Sequence, residues 1–445
     1  MKQKVHIIND RLPRSRFFIQ NLFYLLKQFV TTNTLISIAE MALETPEWLN
    51  LGFVNKALQQ SENDSSIQVS SIFSESATTK GDNYVSDVIR ITVEFSRDQG
   101  DHRITEKKSI IAKVSPTDGG SRQKLVEDVG YFNFEISMMS NTLNKMNELL
   151  GPKHRVSGKS LYIHKGNPTV LVMEDLTPLG FHKADRSSSL DLAHCTLALQ
   201  GLARFHAATV ALCEKEPKQK EMYTKGVFHE EHPLEMKSYF ITGTKALANE
   251  CANWSGFKKY AEKIAKFSDR IYEIGIDASK FSEDDFNVIT HGDFSVNNML
   301  FKYDNDGKPI EHICIDFQLC SYTSPAIDLL YFFNTSAPDV IESKQNILLN
   351  EYLETLSATM NQLGCKTRPP TMEELKAVLK RRASYGMITS FTVLPLLRLR
   401  MTESKDLDEI LNTGAYNNSN LKSEFFKTLM MKQIPVYDEW GLLDL

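Results

Sequence analysis

Two hydropathy patterns divide the chain. In its first part apolar and polar residues alternate: IQVSSIFSESA and YVSDVIRITVEF read as strands joined by the polar turn TTKGDN (Thr78 to Asn83), and KKSIIAKVSP (Lys107 to Pro116) as a third. TPEWLNLGFVNKALQQ (Thr45 to Gln60) precedes them with helical spacing and a Pro in its predicted first turn, and polar residues 61 to 66 follow. After DGGSR, YFNFEISMMSNTLNKMNELL puts Phe134, Met138, Leu143 and Met146 near one helix face with Glu135 beside them. SLYIHK and PTVLVMED give two more strands, then a connector at Glu174 to Thr177. Beyond Leu176 the period is helical. Ser188 to Asp191 reads as a capping box for LDLAHCTLALQGLARFHAATVAL, and further helices are predicted over 233–249, 255–275, 339–363, 371–395 and 419–431. A small β-rich N-lobe with one helix, followed by a larger, mostly helical C-lobe, is the α+β bilobal plan of protein-kinase-like folds. The predicted division is an extension over 1–44, an N-lobe over 45–176 and a C-lobe over 177–445.

One stretch breaks the helical run. VITHGDFSVNNMLF, a turn-rich insert KYDNDGKPIEH, and ICIDFQLCSYTSPAIDLLYFF read as strand, polar loop, hairpin, and a strand ending in a carboxylate. The loop carries Asp293 and Asn298, and the hairpin returns Asp316 to the same end. Two carboxylates and a carboxamide at one mouth suit Mg2+ on a nucleotide, with a base orienting an attacking hydroxyl. Asp293 is the candidate base, and Asn298 and Asp316 are the candidate metal ligands. Taken singly, an Asp after Gly is a common turn residue, and an Asn here can be a cap or turn residue, a role given to Asn297.

Lys113, flanked by apolar residues in IIAKVSP, needs a partner if it points inward. Glu135 on the following helix is the natural one, and the pair would present an ammonium to nucleotide phosphates. A solvent-facing strand lysine is the plainer alternative. Gly81, Asp82 and Asn83 form a turn whose N–H groups could meet phosphate, but no GxGxxG or GxxxxGK[ST] string is present, and a lone Gly between strands also fits a simple hairpin. His206 falls on an apolar helix face and is expected to pack or cap. Asp328 is expected to support the loop carrying Asp293. The RRxS string formed by Arg381, Arg382 and Ser384 lies in a predicted helix and is discounted as a phosphorylation site.

Composition narrows the partners. A net charge of −5 argues against a nucleic-acid binder. Six scattered cysteines without a CxxC pair point to a reducing compartment, with neither a disulfide framework nor a zinc site. No apolar run approaches the ~20 residues of a membrane span. Residues 1–40 carry Lys2, Lys4, Arg11, Arg14, Arg16 and Lys27 against Asp10 and Glu40. A basic, acid-poor start of this kind leaves mitochondrial or other targeting open beside a cytoplasmic location.

Together GDNYVS, IIAKVSP, FNFEI, LVMEDLTPLGF, LARFHA, THGDFSVNNMLF and IDFQLCSYTSPAIDLLYFF resemble the ecdysteroid kinase-like family, within the choline kinase and aminoglycoside phosphotransferase superfamily. The resemblance spans roughly Thr45 to Met430 and implies an ATP- and Mg2+-dependent kinase of a small, hydrophobic alcohol such as a steroid or xenobiotic. It implies Asp293 as catalytic base, Asn298 and Asp316 as Mg2+ ligands, Lys113 with Glu135 on the ATP phosphates, and Glu174, Asp175 and Leu176 as the hinge whose backbone meets adenine. Ser295 stands where members carry Trp, and Met139 where they carry an aromatic residue; both bear on substrate choice. A choline- or ethanolamine-type kinase, and a nucleotide-binding pseudokinase without turnover, are the alternatives.

Overall fold

A computed structural model describes residues 46–78, 85–184, 189–398 and 419–444. The expectations for residues 1–44, for the turn Gly81, Asp82 and Asn83, and for Ser188 lie outside the described residues.

The N-terminal part is a five-stranded antiparallel sheet built from β1 (Gln68–Ser76), β2 (Asp87–Gln99), β3 (His102–Val114), β4 (Ser160–Lys165) and β5 (Thr169–Glu174), in the order β1-β2-β3-β5-β4. Strand alternation gives its two faces different tasks. Ile89, Ile91 and Val93 of β2 and Ile110, Ala112 and Val114 of β3 pack with Val54 and Leu58 of helix α1 (Leu51–Glu62). The intervening positions, Val88 and Arg90 on β2 and Ile111 and Lys113 on β3, face the opposite way and line a cleft. The helix α1 begins later than its periodicity predicted. Asn50 caps it by accepting from the Phe53 N–H, and Pro46 lies in the preceding turn.

Between β3 and β4 run α2 (Ser121–Val129), α3 (Tyr131–Ser137) and α4 (Leu143–Leu150), the last two joined by a π-helical turn over Met138–Thr142. The larger C-terminal part is built on α5 (Leu192–Lys215), whose N-cap is Asp191, accepting from the His194 N–H. Around it lie α6 (Leu234–Ala252), α7 (Lys258–Phe267), α8 (Ile271–Ser279), α9 (Ala326–Thr335), α10 (Pro338–Leu363) and α11 (Met372–Arg381). The segments α12 (Ala383–Ile388), α13 (Leu394–Leu397) and α14 (Glu424–Glu439) complete the described helices. Two expected helices are broken. The 255–275 stretch is interrupted by a tighter turn at Ser268–Arg270, and 371–395 breaks at Arg382. The helix expected over 419–431 starts at Glu424 and runs through Pro435 to Glu439.

Short strands position the chemistry-bearing loops: β7 (Val288–Thr290) pairs with β10 (Ser321–Thr323), and β8 (Met299–Tyr303) lies between β6 (Phe181–Lys183) and β9 (Pro309–Cys314). Among the described residues no helix is long and apolar enough to cross a membrane. All six cysteines are unpaired.

Candidate active site

The hairpin β8–β9 explains how Asn298 and Asp316 meet. Its turn closes at Gly307, where φ is +78°, and the Asp304 carboxylate accepts from the N–H groups of Asp306 and Lys308. The resulting register pairs Met299 with Cys314, and beyond it the Ile315 N–H donates to the Asn298 carbonyl at 3.1 Å. The next residue is Asp316, held at φ +68°, a region that L-residues other than Asn and Asp rarely occupy.

Lys113 arrives at the same point from the other side. Its Nζ lies 2.6 Å from Glu135 Oε2 and 2.7 Å from Asp316 Oδ1, and Lys113 and Glu135 are buried. Burial works against the ammonium, but the charges of Asp316 and Glu135 outweigh it and hold Lys113 above the usual lysine range. Burial pushes the Glu135 carboxyl up; Lys113 opposes that rise and the nearby Asp316 adds to it. One cation therefore serves two carboxylates, of which Glu135 is the more deeply buried.

The turn bearing Asp293 is pinned from behind. The Asp328 carboxylate, near the start of α9, accepts from the His291 N–H at 2.7 Å and the Gly292 N–H at 2.8 Å. Asp328 also meets His206 Nε2 at 2.9 Å, and His206 Nδ1 meets the Tyr352 hydroxyl at 2.8 Å, so His206 has the packed role expected of it. Gly292 is required: φ is +84°, and a Cβ there would lie 1.9 Å from the Leu319 carbonyl oxygen. Asp293 Oδ1 is buried without a hydrogen-bond partner among the described residues. Burial raises the Asp293 carboxyl above its ordinary range; a hydrogen bond from Tyr331 opposes this and the charge of Asp316 reinforces it. The Asn298 side-chain amide donates to the Asp293 carbonyl at 3.0 Å, leaving its oxygen for another partner.

The cleft between the sheet and the helical part has a volume of about 350 Å3. Lys113, Glu135, Asn298 and Asp316 lie on its walls, with Glu174, Asp175 and Leu176 at its rim. The carboxylates of that rim are engaged. Glu174 accepts from Arg155, and Asp175 from Ser109 at 2.6 Å and Arg90 at 2.9 Å. The Leu176 carbonyl accepts from the Leu179 and Phe181 N–H groups.

The sequence model of the ecdysteroid kinase-like family matches residues 80–365. The chain belongs to the ecdysteroid kinase-like family. No curated protein matches it. Ecdysteroid kinase-like proteins are phosphotransferases of the kinase-like superfamily, which makes this chain a small-molecule kinase of that general type.

Several site residues of this ecdysteroid kinase-like chain have no sequence signal of their own. Tyr331 sits in the apolar run LLYFF, where it reads as core, yet it interacts electrostatically with the Asp293 carboxyl. Asn297, expected to cap or turn, lines the cleft with Oδ1 buried and without a partner among the described residues, and Ser295 Oγ is likewise buried and unpartnered. The RRxS string is closed: Arg381 and Arg382 both bind Asp285, Arg382 also donates to the Ala278 and Lys280 carbonyls, and Ser384 is buried.

Among the described residues no group of three or more His, Cys, Asp or Glu side chains could hold a metal ion. One carboxylate and one carboxamide fit Mg2+ bound together with nucleotide phosphates, which supply most of its oxygens.

Proposed function

We propose that the chain transfers the γ-phosphoryl group of ATP to a hydroxyl of a small alcohol. The reading rests on one observation: Lys113 is held between Glu135 and Asp316 on a cleft wall shared with Asn298. Lys113 faces the α- and β-phosphates, Glu135 fixes its ammonium, and adenine meets the backbone near Glu174 to Leu176. Gly81, Asp82 and Asn83 are assigned to phosphate binding, through backbone N–H groups. Asn298 and Asp316 would hold Mg2+, which would supply positive charge against the phosphate oxygens.

Asp293 accepts a hydrogen bond from the acceptor hydroxyl and aims its oxygen at the γ-phosphorus. A bond forms between that oxygen and phosphorus as the bond to the β,γ-bridging oxygen breaks. ADP leaves, and the hydroxyl proton passes to the Asp293 carboxylate. Residues 45–176 act as the nucleotide lobe and 177–445 as the catalytic lobe, in the cytoplasm. The pseudokinase alternative is disfavoured because Lys113, Asp293, Asn298 and Asp316 are all present.

The test measures Mg2+-dependent ATP binding and slow ATP hydrolysis in three proteins. Asp316→Ala is expected to weaken metal-nucleotide binding, and Asp293→Ala to keep binding and lose turnover. Equal hydrolysis in wild type and both variants would remove the assigned roles.

A further inference from the structure

A second cavity, of about 300 Å3, reaches the Asp293 turn at Gly292. Gly292 contributes to its lining, whereas Asn298 and Asp316 line the nucleotide cleft. Asp293 lies in the chain between the residue that lines one cavity and the residues that line the other. Phosphoryl transfer needs donor and acceptor on opposite sides of the reacting phosphorus, roughly in line. We propose that this cavity holds the non-reacting body of the acceptor, and that Tyr385 is a specificity-determining donor within it. The proposal rests on the phosphotransfer reading and deepens it.

Tyr385, on α12, is 1% exposed and lines the cavity, and its hydroxyl has no hydrogen-bond partner among the described residues. A buried hydroxyl left unpaired carries a desolvation penalty that a ligand oxygen would relieve. The ring itself is fixed by Phe228, whose centroid is 5.6 Å away at 87°. Phe228 and Phe281 supply apolar faces, and Phe281 stacks on Tyr322 at 5.8 Å.

Charge narrows the ligand class. Lys225 and Lys280 line the cavity with a single carboxylate, Glu230, and Lys225 is paired with Glu231 at 3.0 Å. The Tyr322 ring, which could otherwise receive a cation, already carries the Lys220 ammonium 5.3 Å from its centroid. The lining carries two ammonium groups against one carboxylate and so gives a cation no net attraction, and with the unpartnered Tyr385 hydroxyl and the ring faces it suits a neutral, oxygen-bearing alcohol.

The experiment uses the full chain with Mg2+ and ADP, and an ecdysteroid or choline as probe. Hydrogen exchange is followed at residues 224–230 and 279–281, and probe affinity by fluorescence titration. The ecdysteroid is expected to protect both segments and choline neither, and Tyr385→Phe to weaken ecdysteroid affinity about five- to tenfold, the loss of one neutral hydrogen bond. Tyr385→Phe should keep the nucleotide-induced thermal shift, which shows that it folds. No protection of these segments by the ecdysteroid, equal protection by choline, or unchanged affinity in Tyr385→Phe each overturns the proposal. Failure of the phosphotransfer reading shows separately: Mg2+ and ADP would then give no protection at residues 111–113.

Discussion

The Asp293 carboxylate works in an environment that disfavours it. Its pKa is raised by burial and by Asp316, so its contribution to stability is present below the unfolded-state value and lost as pH rises through the folded value. At neutral pH the ionised carboxylate is a net cost to the fold. Asp293→Asn should therefore melt at a higher temperature than wild type by calorimetry, while turnover falls by about 10²- to 10⁴-fold, the usual worth of a general base. In wild type, the acid limb of the kcat profile should lie above the pH of an ordinary aspartate, with activity lost as the base protonates. The proximity of Asn298 to Asp316 was legible in the string itself, because a polar turn between two short apolar runs brings their ends together. Tyr331 and Tyr385 were not, since a tyrosine in an apolar helix looks like core until its hydroxyl's surroundings are known.

Among elements, α9 holds the Asp293 turn through Asp328. Removing the carboxylate strands two backbone N–H groups and His206 together. Asp328→Ala should cost about 3–5 kcal/mol by denaturant titration, the range for breaking a buried charged network, and lower kcat more than it raises the KM for ATP. Tyr352→Phe, which removes one hydrogen bond from the far end of the same chain, should cost only about 1 kcal/mol. The element boundaries that escaped sequence reading have physical causes of the same non-local kind. Arg382 breaks the predicted 371–395 helix because its guanidinium reaches Asp285 and two carbonyls near the end of α8. The helix over 131–150 keeps its direction but gains a π-helical turn, so both Met138 and Met139 are buried where one face was expected to hold only the first. Periodicity counts residues per turn and is blind to such an insertion.

For the whole molecule, Lys113 joins three elements distant in sequence: β3, α3 and the end of the β8–β9 hairpin. Lys113→Met leaves Glu135 and Asp316 facing each other without a cation and should destabilise by about 3–5 kcal/mol. Adding Glu135→Leu should recover much of that loss without restoring nucleotide binding. A double-mutant cycle by chemical denaturation, with nucleotide titration in parallel, separates the two effects. The alternation of the sheet and the helical character beyond Leu176 foretold the two-part architecture, because each rests on local periodicity. Which part of the helical half stands behind the catalytic turn depends on packing that no local pattern encodes.

The contact between Lys113 and Asp316 also sets an order of events. A divalent ion arriving alone must compete with an ammonium already seated on its carboxylate, whereas a nucleotide brings phosphates that draw the same ammonium away. Mg2+ by itself should leave the melting temperature unchanged, and ATP with Mg2+ should raise it well beyond ATP alone. On the proposed reading, the Asp316 carboxylate is already tethered to an ammonium in the resting protein, and the ion would enter with its nucleotide as a preformed pair.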